Sequence, residues 1–344
     1  MSKIPFPAPP ADSAEVIALR SEFRAFLAEQ LASRTARQRS DNWYGYDRAF
    51  SRAMGQTGYL GMTWPKQYGG HERTAFERAV VVEECLAAGA PVGAHWIADR
   101  QSGPSILKFG TEAQKQAILP GIAAGELSFG IGMSEPDSGS DLAATRTKAV
   151  RDGDVYRVTG TKVWTSFAHE ADYVILFCRT QGTPADRHKG TSQLLVDLKN
   201  TPGLTIKPII DQAGQHHFNE MHFEDAVVPA DMLLGEEGQG WDQVMSELAF
   251  ERSGPERFLS SIELLRFSDK DVTDGLSNTI GIGEKHKPQN PTVNNPEMLH
   301  YEQGDNAFLA GDSPKTIFAG TRFGGADSKV SGIAQGPEDG ANTK

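Results

Sequence analysis

From Asp12 onward, apolar residues return every three or four positions: Val16, Leu19, Phe23, Phe26 and Leu31. That spacing lines one face of a helix, and Asp12 with Glu15 supplies a capping-box pattern at its start. Thr74 with Glu77 repeats the signal ahead of Val80, Val81 and Cys85, and Gly89 marks the expected stop. Thr111 with Gln114 opens a further helix, which Pro120 is expected to end because proline lacks the N–H that a helix interior uses. Between the first two helices, the stretch Gly58 to Gly70 carries too much glycine and proline for either helix or strand.

After Pro120 the period falls to two. Thr145 to Arg151 and Val155 to Thr161 alternate, and Asp152-Gly153 between them is a strong hairpin signal. Tyr173 to Cys178 and Gln193 to Leu198 are apolar runs of strand length. Helical spacing returns from Trp241 to Phe267, through Val244, Leu248, Phe258, Ile262 and Leu265. Residues 268–344 are rich in Gly, Asn, Asp and Pro and keep no helical period, which predicts a loop-rich or disordered tail. The fold class expected is α+β. An N-terminal all-α domain covers 1–126 and a middle antiparallel β-barrel or sandwich covers 127–240. The start of a truncated C-terminal helical domain occupies 241–267, and the loop-rich tail follows.

Composition narrows the setting. The chain has 344 residues, 38% hydrophobic and 23% charged, enough for two or three folded domains. No apolar run is long enough to span a bilayer, and the first residues lack the apolar centre of a signal peptide, so no membrane partner and a cytoplasmic location are expected. Cys85 and Cys178 sit in apolar runs and read as buried free thiols. The formal charge of −11 argues against nucleic acid as a partner, and the arginines between Arg20 and Arg52 read as a solvated helix face.

The candidate chemistry gathers in few places. Gly132-Met-Ser-Glu-Pro-Asp-Ser-Gly-Ser-Asp-Leu-Ala-Ala144 follows a strand and turns through small residues, whose N–H groups and hydroxyls can approach a ligand closely. Thr161-Lys-Val-Trp-Thr-Ser166 places an aromatic residue beside two hydroxyls. Gly235 to Gly240 has glycines at a phosphate-loop spacing but two glutamates among them, and reads as a loop leading into the helix at Trp241. His216, Glu220 and His222 share one face of a strand while His217 does not, so no metal is expected there.

The first of these stretches resembles the first signature of the acyl-CoA dehydrogenase family, and the second its other flavin-contacting segment. Gly61 to Gly70, Phe109 to Lys115 with Leu119-Pro-Gly, and Leu234 to Gly240 are similar to that family in order and spacing, so the resemblance covers residues 12 to 266. It implies FAD as cofactor and α,β-desaturation of an acyl-CoA thioester. On that resemblance Ile131, Met133 and Ser134 contact the isoalloxazine, with Gly139 and Ser140 in the same turn. Trp164 flanks the ring, Thr165 and Ser166 offer hydrogen bonds, and Ser140 also meets CoA. Glu251 stands where one branch of the family has its catalytic base, with Arg252 as a CoA contact.

The resemblance also implies electron-transfer flavoprotein or a similar acceptor as partner. Family members are homo-oligomers, an assembly doubtful here because the C-terminal bundle that builds it ends at its opening helix. Loss of that bundle is expected to impair the enzyme. An acyl-CoA oxidase on the same scaffold, or a non-catalytic fusion product, are the alternatives. Asp271 to His286 in the tail resembles bacterial prepilin-like proteins, which suggests a chimeric C-terminus.

Overall fold

Capping explains where the helices of the N-terminal part begin. The computed structural model describes residues 12–252 apart from 36, 37, 40, 42 and 43. Helix α1 spans Ala14–Gln30 and its cap is Ser13, one residue later than expected, with the Ser13 side chain accepting from the Val16 N–H. Helix α2 spans Arg48–Gln56, capped by Asp47. Helix α3, Ala75–Ala88, has the full Thr74/Glu77 capping box and stops at Gly89 in the left-handed conformation. Short helix α4, Gly93–Ile97, runs through a π-turn at Ala98–Ser102 into α5, Gly103–Phe109. Helix α6, Glu112–Ala123, opens on the Thr111/Gln114 capping box.

Two expectations for the helical part need correction. Pro120 does not end its helix: α6 continues to Ala123 with Pro120 inside it. Leu119, Ile122 and Ala123 are buried around the proline, and that packing offsets the one hydrogen bond it removes. The early arginines are also only partly the solvated face expected: Arg24 and Arg52 are exposed, but Arg20 is not. Arg20 donates to Glu83 at 2.9 Å and to Glu84 at 2.5 Å, and Arg24 donates to Glu84 at 2.6 Å, so the pair clamps α1 to α3.

The helical part also holds a buried histidine. His95 bonds Ser51 Oγ through Nδ1 at 2.8 Å, and burial pushes its pKa down to about 4 from an ordinary 6.5. Because the fold disfavours the protonated ring, His95 costs nothing above about pH 6.5, and stability falls as pH drops from there toward 4. Between pH 7 and pH 5 the loss comes to about 2 kcal/mol. Urea midpoints measured at the two pH values should show this drop, and His95→Asn should remove most of it. Equal pH dependence in the variant would refute the assignment.

Beyond Ala123 the chain turns to strands: β1 Phe129–Gly132, β2 Lys148–Asp152, β3 Val155–Ser166 and β4 Tyr173–Arg179, then β5 Thr191–Asp197, β6 Leu204–Ile210, β7 His216–Pro229 and β8 Leu233–Leu234. The expected hairpin is present, with Gly153 in the left-handed region between β2 and β3. Cys85 and Cys178 are both buried and free. Helix α7 begins at Gly240 and is described to Arg252; the expected continuation to Phe267 and the tail 268–344 lie outside the described residues.

The sheet is open, which corrects the expected barrel. Its order is β6-β7-β3-β2-β4-β5-β8, so largely exposed β6 and two-residue β8 are its edges. It is also not purely antiparallel. β1 lies parallel to β4 from Phe129↔Tyr173 to Gly132↔Leu176, and β2 meets β4 in parallel at Lys148↔Arg179. β5 occupies the other side of β4. Two short strands therefore share one edge of β4, and residues 133–147 leave the sheet from the gap between them. That gap positions the candidate site.

The helical and β parts are tied together at Asp172. Its carboxylate accepts from Arg48 at 2.7 Å and from the Ser128 N–H at 2.9 Å, and pairs with Lys199. No helix among the described residues is long and apolar enough to cross a membrane.

Candidate active site

Strand β1 ends at Gly132, and the turn that follows is closed by reciprocal backbone bonds between Glu135 and Ser138, at 2.8 and 3.1 Å. Ser138 Oγ donates to the Asp141 carbonyl at 2.7 Å, and the Asp141 carboxylate pairs with Arg187. Gly139 and Ser140 project at the tip, both exposed, and a Cβ added at Gly139 would touch nothing. Met133 and Ser134, at the root of the turn, are half-buried.

The second element is a bulge in β3. Lys162 faces Met221 and Thr165 faces Asn219, so Val163 and Trp164 on β3 together oppose Glu220 alone on β7. Trp164 takes the left-handed conformation, φ 62°, a strained state for a bulky residue. The bulge turns its indole outward: it is 59% exposed, with one edge against Phe218 at 5.9 Å between centroids. Buried Asn219 holds the far side of the bulge by donating to the Thr165 carbonyl at 3.1 Å.

The two elements meet. The Val163 N–H donates to the Ser134 carbonyl at 2.9 Å, which joins the expected Ser134 turn to the expected Trp164 segment. Met133, Ser134, Trp164 and half-buried Ser166 thus belong to one wall. Thr165 does not share it. Its side chain is 1% exposed and its hydroxyl is buried without a partner, so strand alternation turns it inward. Ile131 lies in β1, packed on the apolar core between the sheet and the helices. Glu251 and Arg252 form the last turn of α7, and their side chains lie outside the described residues. Earlier in α7, fully buried Glu247 accepts from Gln193 Nε2 at 3.1 Å, which fixes this helix against β5.

Sequence reasoning missed what lies behind the wall. Lys162 is completely buried, and its ammonium donates to Glu135 and to the Met133 carbonyl, each at 2.8 Å, and to Thr145 Oγ1 at 3.1 Å. Glu135 in turn accepts from Thr145 Oγ1 at 2.5 Å and from the N–H groups of Arg146 and Thr147 at 2.7 and 2.9 Å. Burial alone would raise its pKa, but the Lys162 charge and these donors hold it at about 2. Gly160 makes the approach possible. Its φ is 152°, and a Cβ there would lie 2.5 Å from Thr147 Oγ1. Both partners stand inside the quoted motifs, yet lysine and glutamate ordinarily lie at the surface, and only spacing against a buried strand could have flagged them.

The histidines take other roles. His216 stacks on His169 at 3.6 Å and bonds Asn219, while His222 bonds Glu220 at 3.0 Å. Among the described residues no group of three or more such side chains is placed to hold a metal ion.

A helical domain followed by an open sheet is the arrangement that the comparisons with known proteins match. Residues 13–126 match the acyl-CoA dehydrogenase N-terminal domain and residues 130–226 its middle domain. The chain belongs to the acyl-CoA dehydrogenase family. It is 42% identical over 236 residues to acyl-CoA dehydrogenase FadE29 of Mycobacterium tuberculosis, covering 68% of this chain and 60% of that protein. Among solved structures it superposes on the Tcur3481-Tcur3483 steroid ACAD with a TM-score of 0.67 and 34% identity, over 74% of this chain and 65% of the other. The ChsE4-ChsE5 complex from Mycobacterium tuberculosis gives 0.64 and 36%, over 75% and 66%. The chain spans about three-fifths of the curated relatives it matches, 60%, 59% and 63% of the first three.

Proposed function

We propose that this chain carries the flavin wall of an FAD-dependent acyl-CoA dehydrogenase and that its reaction is α,β-desaturation of an acyl-CoA thioester. The observation that carries the reading is the bond from Val163 to Ser134, which sets an outward-facing tryptophan beside a turn of small residues. The residues fit FAD. A broad aromatic face suits a planar heteroaromatic ring, and the half-buried positions of Ser134 and Ser166 suit hydrogen bonding to its edge. When bound, the flavin supplies a hydride acceptor for the β-carbon.

The chain's own residues divide the remaining work. Trp164 orients the ring and keeps water from one side of it. Met133 and Ser134 line its edge. Ser140, exposed at the tip of the turn, is available to the pantetheine or phosphate part of CoA. Glu251 takes the α-proton and Arg252 binds CoA, both proposed from the family resemblance. Electron-transfer flavoprotein is the proposed acceptor. A substrate panel should include a steroid acyl-CoA, because a similar structure is described as a steroid ACAD, and also isovaleryl-CoA.

We further propose that the chain binds flavin weakly, because the residues after 267 carry no amphipathic pattern that could replace the family's helical bundle. Titrating FAD into the purified chain should give the flavin absorbance bands, and anaerobic addition of an acyl-CoA should bleach them. Trp164→Ala should weaken FAD binding by about tenfold or more. Bands that persist with every acyl-CoA tested would remove the dehydrogenase reading. Stoichiometric flavin together with family-typical turnover would remove the claim of impairment.

A further inference from the structure

We propose that the buried Glu135–Lys162 pair is the positioning device of the flavin wall, and that its task is to fix the Met133–Ser134 backbone against the Trp164 bulge. This rests on the flavin reading of that wall.

The pair ties three pieces of chain that no regular ladder connects. Lys162 belongs to β3, Glu135 to the turn after β1, and Thr145, Arg146 and Thr147 to the segment entering β2. These segments border the gap left where β1 and β2 share one edge of β4. The Lys162 ammonium lies 5.8 Å from the ring centroid of Phe177, on the β4 stretch between the two. A well-packed apolar pair in such a place is often as stable as an ion pair or more so. Bulk stability alone is therefore a weak reason for the pair. Its geometry is a stronger one, because each bond described for the two side chains, apart from the one between them, holds a backbone or side-chain group of an adjoining segment.

The consequence reaches the ligand side through one peptide plane. Lys162 draws the Met133 carbonyl inward at 2.8 Å. In a trans peptide the following N–H points the opposite way, so the Ser134 N–H is turned from the interior toward the open side. The next carbonyl, that of Ser134, is taken by Val163, one residue past Lys162 and one before Trp164. Both sides of the wall are thereby referred to a single ammonium group. Lys162 and Glu135 act through the backbone they hold, as positioning residues.

The test compares the full chain with the double variant Glu135→Gln/Lys162→Met, which keeps side-chain volume and leaves no unpaired charge. Amide hydrogen exchange is measured at Arg146, Thr147 and Val163 and across β5, alongside FAD affinity and the visible circular dichroism of bound flavin. We expect exchange at those three amides to accelerate by about tenfold or more while β5 is unchanged, FAD affinity to fall by a similar factor, and the flavin spectrum to shift. Unchanged exchange at the three amides overturns the proposal, and so does FAD binding with wild-type affinity and spectrum. If the unaltered chain takes up no FAD, the flavin reading fails, while the exchange data still decide whether the pair holds the segments.

Thr145→Val covers a failure of the double variant to fold. It removes only the hydroxyl shared by both partners and should produce the same changes at about fivefold. No change in that variant overturns the proposal as well.

Discussion

Lys162→Met alone is expected to destabilise the fold by about 3–5 kcal/mol at pH 7. Lysine 162 is fully buried, and its removal leaves the Glu135 carboxylate in the interior without its counter-ion. Hydrogen bonds from Thr145, Arg146 and Thr147 remain, but they do not replace a charge. The pH dependence identifies the cause. In the unaltered chain Glu135 has a folded pKa of about 2 against an ordinary 4.5, so its contribution is present above about pH 4.5 and lost as pH falls toward 2. Without Lys162 the carboxyl pKa should rise above its unfolded value. Its penalty is then relieved at low pH and grows as pH rises. Urea unfolding at pH 5 and pH 7 should find a smaller deficit at pH 5. A deficit that is constant with pH would mean that lost packing, not the unpaired carboxylate, is responsible.

Glu251→Gln is expected to lower the rate of flavin bleaching by acyl-CoA by about 10²–10⁴-fold while leaving the flavin bands of the FAD-loaded chain intact. Glutamine keeps the shape of the side chain and removes its ability to take a proton. Single-turnover measurement at saturating acyl-CoA separates this from substrate binding. Near-normal bleaching in the variant would move the base elsewhere. In that event Glu247 is not its replacement, because it is fully buried against Gln193 of β5.

Much of the fold was legible because its punctuation is local. Thr74 with Glu77, Thr111 with Gln114 and Gly153 each act within one turn of chain, and all three appear where the sequence put them. Pro120 was misread because its local cost is outweighed by burial of Leu119, Ile122 and Ala123, and that packing is set by residues far along the chain. The open sheet was illegible for the same reason: alternation tells which face of a strand is buried but not which strand lies beside it.

At the site, the Ser134 turn and the Trp164 segment were found by resemblance. Their junction needed a register shift between β3 and β7, which leaves no mark in composition. The inward turn of Thr165 follows from the same bulge. The Glu135–Lys162 pair shows the limit most plainly. Each residue lies within a motif, yet a lysine on a strand reads as solvent-facing until the gap beside β4 is seen to need a cation.

The parallel placement of β1 on β4 bears on the order in which the molecule takes shape during synthesis. Phe129 leaves the ribosome well before Tyr173, its partner, so β1 has no edge to join until the β2–β3 hairpin and β4 have followed. The Ser134 turn hangs from the end of β1 and acquires its fixed position only at that moment. A nascent chain halted before Tyr173 would hold both signature motifs and still lack the strand that fixes β1, so cofactor capture should report completion of this sheet rather than mere presence of the motifs.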